Sequence, residues 1–287
     1  MKPILRLAVQ KSGRLSERSL GFLEECGISF MRNKTKLISR AYNFPLELLF
    51  LRDDDIPKYV ADGVADIGIV GENVWQEKGD QKTDLVERMG FSKCRLSIAV
   101  PQAVAYNSSQ DLQGLKIATS YPNLLGFYLA EQNITAEIHE ISGSVEIAPG
   151  IGLADAVCDL VSSGSTLLAN GLKEAEVIFR SEAIMIATPG LAEEKAEILQ
   201  KLLFRIKAVL RAEAYKYILM NVPNHAIEEV SGILPGMRSP TVTPLGQEGW
   251  SSLHTVVKED VFWEVIEKVR EKGAEGILVI PIEKMML

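Results

Sequence analysis

The run Asp66-Ile-Gly-Ile-Val-Gly71 is apolar throughout between its bounding carboxylate and glycine, and Glu72 opens a helical pattern directly after it. A strand without polar positions is one buried on both faces, as happens where helices cover both sides of a sheet. The residues before it keep the same rhythm. Residues 4–10 read as a strand, 15–26 as a helix closed by Gly27, 37–42 and 46–52 as strands, and 55–62 as a short helix closed by Gly63. This alternation predicts an open α/β sheet. The polar stretch between Trp75 and Arg88 reads as a variable loop.

A second unit of the same kind begins near Cys94. It has strands at 95–100, 116–120, 136–141 and 156–161, a helix at 123–132 with Pro122 in its first turn, and a further strand within 175–187. A long helical pattern over 191–215 is acidic at its start and basic at its end, as the helix dipole favours. Beyond it the order changes to strand 217–222, helix 226–234, a turn at Pro235-Gly236, strands 241–245 and 251–257, helix 260–272 and strand 276–282. That βαββαβ order is the ferredoxin-like arrangement, and ~70 residues suffice for a domain of its own. Phe262, Trp263, Val265 and Ile266 fall at helical spacing and read as core.

Charge and cysteine usage narrow the function. A formal net charge of −7 argues against a general nucleic-acid binder, which presents a basic face, but leaves room for a locally basic pocket. Cys26, Cys94 and Cys158 are far apart and odd in number, and His139, His225 and His254 are scattered, so neither a disulfide framework nor a zinc site is indicated. The first ten residues lack a continuous apolar core, and no stretch reaches the roughly 18 apolar residues of a membrane span. The expectation is a soluble cytoplasmic protein with neither nucleic acid nor membrane as partner.

Four constellations could carry chemistry. In Asp155-Ala-Val-Cys-Asp-Leu-Val-Ser-Ser-Gly-Ser-Thr166, Asp155 and Asp159 can accept hydrogen bonds from sugar hydroxyls. The hydroxyls and backbone N–H groups of Ser162, Ser163, Gly164, Ser165 and Thr166 can wrap a phosphate. Together they suit a ribose 5-phosphate; the competing reading is a strand ending in a Ser/Gly turn. Gln10-Lys-Ser-Gly-Arg14 follows the first strand, where open α/β sheets bind ligands. Gly13 permits close approach there, and Lys11 and Arg14 bring positive charge to a helix start; a solvated basic turn is the alternative. Arg52-Asp-Asp-Asp55, with Asp66 and Glu72, could hold magnesium through its waters or read an amino group, while Asp55 equally suits an N-cap. Thr119 and Ser120, at a strand end before a helix, form a second candidate anion seat or ordinary caps.

Taken in order, the segments 10–14, 52–57, 66–73, 119–122 and 155–166, with Leu168-Ala-Asn-Gly-Leu172 and Ile280-Pro-Ile-Glu-Lys-Met285, resemble ATP phosphoribosyltransferase in its long form. The resemblance implies two periplasmic-binding-protein-like α/β domains that form a cleft, followed by the ferredoxin-like (ACT-like) domain as a regulatory module. The domains would cover 1–91 with 185–212, 92–184, and 213–287. It implies transfer of the 5-phosphoribosyl group from phosphoribosyl pyrophosphate to N1 of ATP, the first step of histidine biosynthesis, with Mg2+ as cofactor. Positioning and electrostatics then carry catalysis, without a protein nucleophile. Asp155, Asp159 and Arg14 become the catalytic candidates, and Asp155, Asp159 and residues 162–166 the phosphoribosyl pyrophosphate site. Gln10, Lys11, Gly13, Arg14, Asp66, Glu72, Thr119 and Ser120 face ATP. Histidine would inhibit through Asn221, Ser239 and Thr241, around the Met237-Arg-Ser-Pro-Thr segment, in a homo-oligomer between dimer and hexamer. The magnesium ligands stay unassigned.

Two rivals share this layout. A solute-binding protein has the same two-domain cleft, and a small-molecule-binding or regulatory subunit without turnover would use the third domain for a partner's benefit. The phosphate loop argues against the first, and the intact 10–14 and 155–166 sets against the second.

Overall fold

The computed structural model describes every residue except 1, 2, 33–35, 80, 81, 235, 237, 238 and 287. In chain order the elements are β1 (Leu5–Gln10), α1 (Arg14–Glu25), β2 (Ile38–Arg40), β3 (Leu46–Leu51), α2 (Ile56–Ala61), β4 (Ile67–Gly71), α3 (Glu72–Lys78) and β5 (Asp84–Arg88). Next come β6 (Cys94–Pro101), β7 (Lys116–Thr119), α4 (Pro122–Glu131), β8 (Glu137–Glu140), β9 (Ala156–Val161), α5 (Ser165–Ala169), β10 (Leu172–Ser181) and β11 (Ala183–Ala187). The chain closes with α6 (Glu193–Glu213), β12 (Tyr215–Pro223), α7 (Ile227–Ile233), β13 (Thr241–Pro244), β14 (Trp250–Lys258), α8 (Phe262–Glu271) and β15 (Glu275–Pro281). Two compact units result, residues 1–24 with 28–199, and residues 25–27 with 200–287.

The first unit holds two sheets, and therefore two lobes. One is six-stranded in the order β2-β3-β1-β4-β11-β5, with β1 parallel to both β3 and β4. The other is five-stranded in the order β10-β6-β9-β7-β8, with β7 parallel to both β8 and β9. β4 is the buried strand its composition predicts, with Ile67, Ile69 and Val70 all at 0% exposure. Gly68 lets α2 lie directly on it: a Cβ there would meet Ile56 Cγ2 at 2.7 Å and Val60 Cγ2 at 3.0 Å. Each lobe thus has a dry interior. In the second unit, β13-β14-β12-β15 form an antiparallel sheet in the ferredoxin-like order, with Ile218, Met220, Leu253 and Val257 facing the core that α7 and α8 close.

Four readings of the sequence are corrected. The stretch before Arg88 is not all loop, because α3 runs to Lys78 and β5 pairs with β11. β5 is an edge strand with exposed charges, which hides its periodicity. The strand expected within 175–187 is two strands in two sheets, separated at Glu182, where the chain crosses between lobes. Asp55 stands at the N-cap of α2, but its side chain makes no capping bond. Trp263 is 72% exposed, while Phe262, Val265 and Ile266 are buried as the stripe requires.

Candidate active site

In both lobes an Ala-Asp pair precedes an inner strand of the sheet. Gly63-Val-Ala-Asp66 leads into β4 and Gly152-Leu-Ala-Asp155 into β9. Each aspartate clamps the start of the neighbouring parallel strand. Asp66 Oδ2 accepts the Arg6 N–H at 2.8 Å, and the Asp66 N–H donates to Arg6 O at 2.9 Å. Asp155 Oδ2 accepts the Lys116 N–H at 2.8 Å, and the Asp155 N–H donates to Lys116 O at 2.8 Å. Lys195 Nζ also sits 2.8 Å and 2.9 Å from the two Asp66 oxygens. Both carboxylates therefore lie at the amino ends of their strands, whereas the loops at 10–14 and 162–166 follow the carboxyl ends of β1 and β9. At about 3.3 Å per residue, the length of β9 puts Asp155 about 20 Å from the loop. This corrects both expectations: Asp155 does not stand beside the 162–166 loop, and Asp66 does not face the 10–14 side.

At the other end of β9 a cavity of about 150 Å³ opens between Glu146, Asp159, residues 162–164, Thr166 and Leu167. Gly164 turns the loop at φ +78°, a left-handed backbone that side chains with a Cβ rarely adopt. Ser165 then starts α5, whose first N–H groups have no partner within the helix. The Ser165 hydroxyl is 3.0 Å from that of Ser163 and does not line the cavity. Asp159 Oδ1 accepts the Leu160 N–H at 2.7 Å. Burial pushes the Asp159 carboxyl above its ordinary range; the Leu160 N–H pulls it back, and the Glu146 carboxylate raises it further. Two acceptor groups thus flank a loop rich in donors, the arrangement that suits a polyhydroxylated phosphate ester.

Thr119 and Ser120 reach the same sheet edge, but their hydroxyls are engaged internally. Thr119 Oγ1 accepts the Tyr121 N–H at 2.9 Å, and Ser120 Oγ donates to Ile141 O at 2.7 Å. The anion seat expected at the start of α4 is filled by the protein. Buried Glu77, from the other lobe, accepts the N–H groups of Asn123 and Leu124, each at 2.9 Å. Beside it, Asn73 Nδ2 donates to Tyr121 Oη at 3.0 Å, and Ser181 Oγ donates to Asn73 Oδ1 at 2.8 Å.

From the first lobe, Lys11, Gly13 and Arg14 stand exposed after β1, with half-buried Gln10 beneath them. Glu72 is at the same edge, following β4, and both its oxygens accept from Arg88 at 2.6 Å, so its carboxylate is paired within the lobe. Asp53 was read only as part of a carboxylate cluster. Its Oδ1 is buried without a hydrogen-bond partner, and burial, aided by Asp54, pushes its carboxyl up to about 6. Burial likewise raises the Tyr121 hydroxyl; Asn73 opposes this, and the Asp159 and Asp53 carboxylates add to it. Tyr121 is thus within electrostatic reach of an aspartate from each lobe.

Comparison with known proteins decides between the readings of this cleft. Residues 52–208 match the family described as ATP phosphoribosyltransferase, and residues 212–284 match its C-terminal domain. An ATP phosphoribosyltransferase of Cytophaga hutchinsonii is 65% identical over 100% of both chains, and one of Phocaeicola vulgatus 55% identical over 99% of this chain and 100% of its own. The chain belongs to the ATP phosphoribosyltransferase family. With its C-terminal regulatory domain it is of the long form, and its activity is the first step of histidine biosynthesis. A Thermotoga maritima ATP phosphoribosyl transferase structure, solved as a HisG:HisZ complex, is 28% identical at a TM-score of 0.60, covering 71% of this chain and 99% of that one.

Within this member of the ATP phosphoribosyltransferase family, sequence reasoning missed Glu146. It lies 13 residues before Asp159 in Gly143-Ser-Val-Glu-Ile-Ala-Pro149, in a single 3-10 turn over Val145–Ile147. A lone carboxylate in an otherwise small and apolar stretch is the one signal that could have marked it. Of the effector candidates, Asn221 and Thr241 share the face of the C-terminal sheet opposite its helices, with β14 between them. Ser239 is exposed just before β13, while Met237 and Arg238, like the turn residue Pro235, lie outside the described residues. His254, one of the three scattered histidines, is held by Tyr217 Oη at 2.8 Å and Ser252 Oγ at 3.1 Å. Among the described residues no group of three or more His, Cys, Asp and Glu could hold a metal ion, and no helix is long and apolar enough to cross a membrane.

Proposed function

We propose that the cavity at 162–167 holds the 5-phosphate of phosphoribosyl pyrophosphate, with Asp159 and Glu146 accepting from the ribose hydroxyls. The observation that carries this reading is the pairing of two carboxylates with the donor loop around one 150 Å³ cavity. Asp155 plays no part in it. ATP enters from the lobe of Gln10, Lys11, Gly13 and Arg14, whose two cations suit its phosphates.

N1 of the adenine attacks the anomeric carbon, the bond to pyrophosphate breaks, and positive charge develops on the ribose. Asp159 and Glu146 stabilise that charge from fixed positions, which costs no reorganisation during the reaction. Lys11 and Arg14 orient the incoming nucleotide. The donor set suits a magnesium ion carried in by substrate phosphates rather than a protein cage, since such ions take only one or two carboxylates. Glu146 and Asp159 are the protein oxygens available to it, and when bound it neutralises the leaving diphosphate.

Residues 1–91 with 185–212 and 92–184 then act as the two halves of the catalytic cleft, and 213–287 as the regulatory domain. Histidine binds that domain near Asn221, Ser239 and Thr241, in a cytoplasmic homo-oligomer. A pyrophosphate-release assay with ATP, phosphoribosyl pyrophosphate and magnesium tests the scheme. Turnover that is insensitive to Asp159→Ala and Thr166→Ala would remove the site assignment.

A further inference from the structure

Arg95 is the second residue of β6, and its guanidinium makes three hydrogen bonds, one from each nitrogen. Nε and Nη2 donate to Glu174 Oε1 and Oε2 at 2.5 Å and 2.6 Å, a bidentate fork from β10. The remaining Nη1 donates to Ser162 O at 3.1 Å, in the first peptide of the phosphate loop. Glu174 is itself held, since the buried Ser97 hydroxyl donates to its Oε1 at 2.7 Å. Ser97 stands opposite Asp159 in the antiparallel pairing of β6 with β9, and Arg95 stands opposite Val161. The strut therefore runs from edge strand β10 and its neighbour β6 to the loop backbone, beside the strand that carries Asp159.

We propose that Arg95, locked by Glu174, is a positioning residue for the sugar-phosphate substrate: it fixes the direction of the Ser162–Ser163 peptide at the mouth of the cavity. The C=O and N–H of a trans peptide point in opposite directions, so tying down the Ser162 carbonyl fixes where the Ser163 N–H points. A loop that binds phosphate through backbone donors depends on such directions being set before the ligand arrives. Neither residue touches the substrate. Arginine suits the position because its planar fork makes two bonds to a carboxylate while keeping an N–H for a third acceptor, which a lysine ammonium cannot do with fixed angles.

This inference rests on the sugar-phosphate reading of the cavity, and the test separates the two. Steady-state kinetics are measured on the full chain for Arg95→Ala, Arg95→Lys, Glu174→Gln, the Arg95→Ala/Glu174→Gln double variant and Thr166→Ala, with titration of ribose 5-phosphate by calorimetry. Arg95→Ala is expected to raise the KM for phosphoribosyl pyrophosphate about tenfold while the KM for ATP moves less than about twofold. Ribose 5-phosphate binding should weaken in parallel. Arg95→Lys should not rescue either measure, and Glu174→Gln should shift both in the same direction by less. The double variant should match Arg95→Ala alone, because the two residues act as one unit. Should Arg95→Ala not fold, Glu174→Gln carries the same readout. Equal movement of both KM values, full rescue by lysine, or additive effects in the double variant would overturn the strut. Thr166→Ala touches the cavity directly: if it raises the KM for phosphoribosyl pyrophosphate and the Arg95 and Glu174 variants do not, the strut fails alone. If Thr166→Ala also leaves that KM unchanged, the cavity reading fails and the strut with it.

Discussion

The Asp155 carboxylate accepts the backbone N–H of Lys116 at 2.8 Å, at the end of β9 remote from the 162–166 loop, and Asp66 does the same for Arg6 in the other lobe. Two aspartates that read as ligands in the sequence are thus strand clamps. Asp159 and Glu146 line the cavity at the other end of β9.

Asp155 and Asp159 should separate cleanly by substitution. Asp155→Ala loses a bond to a backbone donor and should lower stability by about 1 kcal/mol while kcat and both KM values stay near wild type. Asp159→Ala should lower turnover by about 100-fold or more with little change in melting temperature. Thermal melts and steady-state kinetics on the two variants check this, and equal kinetic damage from both would return Asp155 to the site.

Asp53 should make stability fall as pH rises. Its folded pKa of about 6 lies above the unfolded value of 3.8, so between those values the folded state holds more protons. The cost is absent below the unfolded pKa and complete above pH 6. Asp53→Asn should therefore raise stability at pH 7 by about 2 kcal/mol, a gain that vanishes below pH 4. Denaturant melts of both proteins across this range measure it.

Glu146 raises the Asp159 carboxyl through its own charge. Glu146→Gln removes that charge, and the acid limb of the kcat/KM profile should move to lower pH, with a lower plateau. A limb that stays in place would mean that Asp159 does not govern it.

Glu77 joins the lobes by accepting two α4 N–H groups at 2.9 Å. Glu77→Ala should destabilise the chain by about 2 kcal/mol, because two part-buried donors lose a charged acceptor. Amide exchange at Asn123 and Leu124 should accelerate ahead of the rest of α4. Unchanged exchange there would mean the contact is not held in solution.

The C-terminal sheet should carry inhibition and not turnover. Removing the chain from Tyr215 onward should abolish histidine inhibition, and Asn221→Ala should weaken it about tenfold or more while basal turnover persists. Inhibition assays decide; full sensitivity in either variant would place the effector site elsewhere.

Much of this architecture was legible because it is written in local periodicity. The apolar run of β4, the closing glycines after α1 and α2, and the βαββαβ order of the last unit are patterns over a few residues, and each stands in the fold where it was expected. The donor loop was legible for the same reason, since Ser162, Ser163, Gly164 and Thr166 are neighbours in sequence. Edge strand β5 was not, because exposed charges mask its alternation, and the crossing at Glu182 was not, because two strands of different sheets run together in the chain.

Where each carboxylate lies and what it pairs with follows only from the fold. Asp155 and Asp159 are four residues apart, but a strand carries one toward the clamp and the other toward the cavity. Glu72 and Asp66 find partners in Arg88 and Lys195, which are distant in sequence, and Glu77 fills a helix start that looked open to substrate. Glu146 meets Asp159, 13 positions further on, from a short 3-10 turn that lies outside the periodic strand β9. The sequence by itself determined the strands, helices, donor loop and family, because propensity and patterning act over short range. Only the tertiary structure decided which charges are neutralised by distant partners and which face the cavity, because hydrogen bonding and desolvation depend on neighbours brought together by folding.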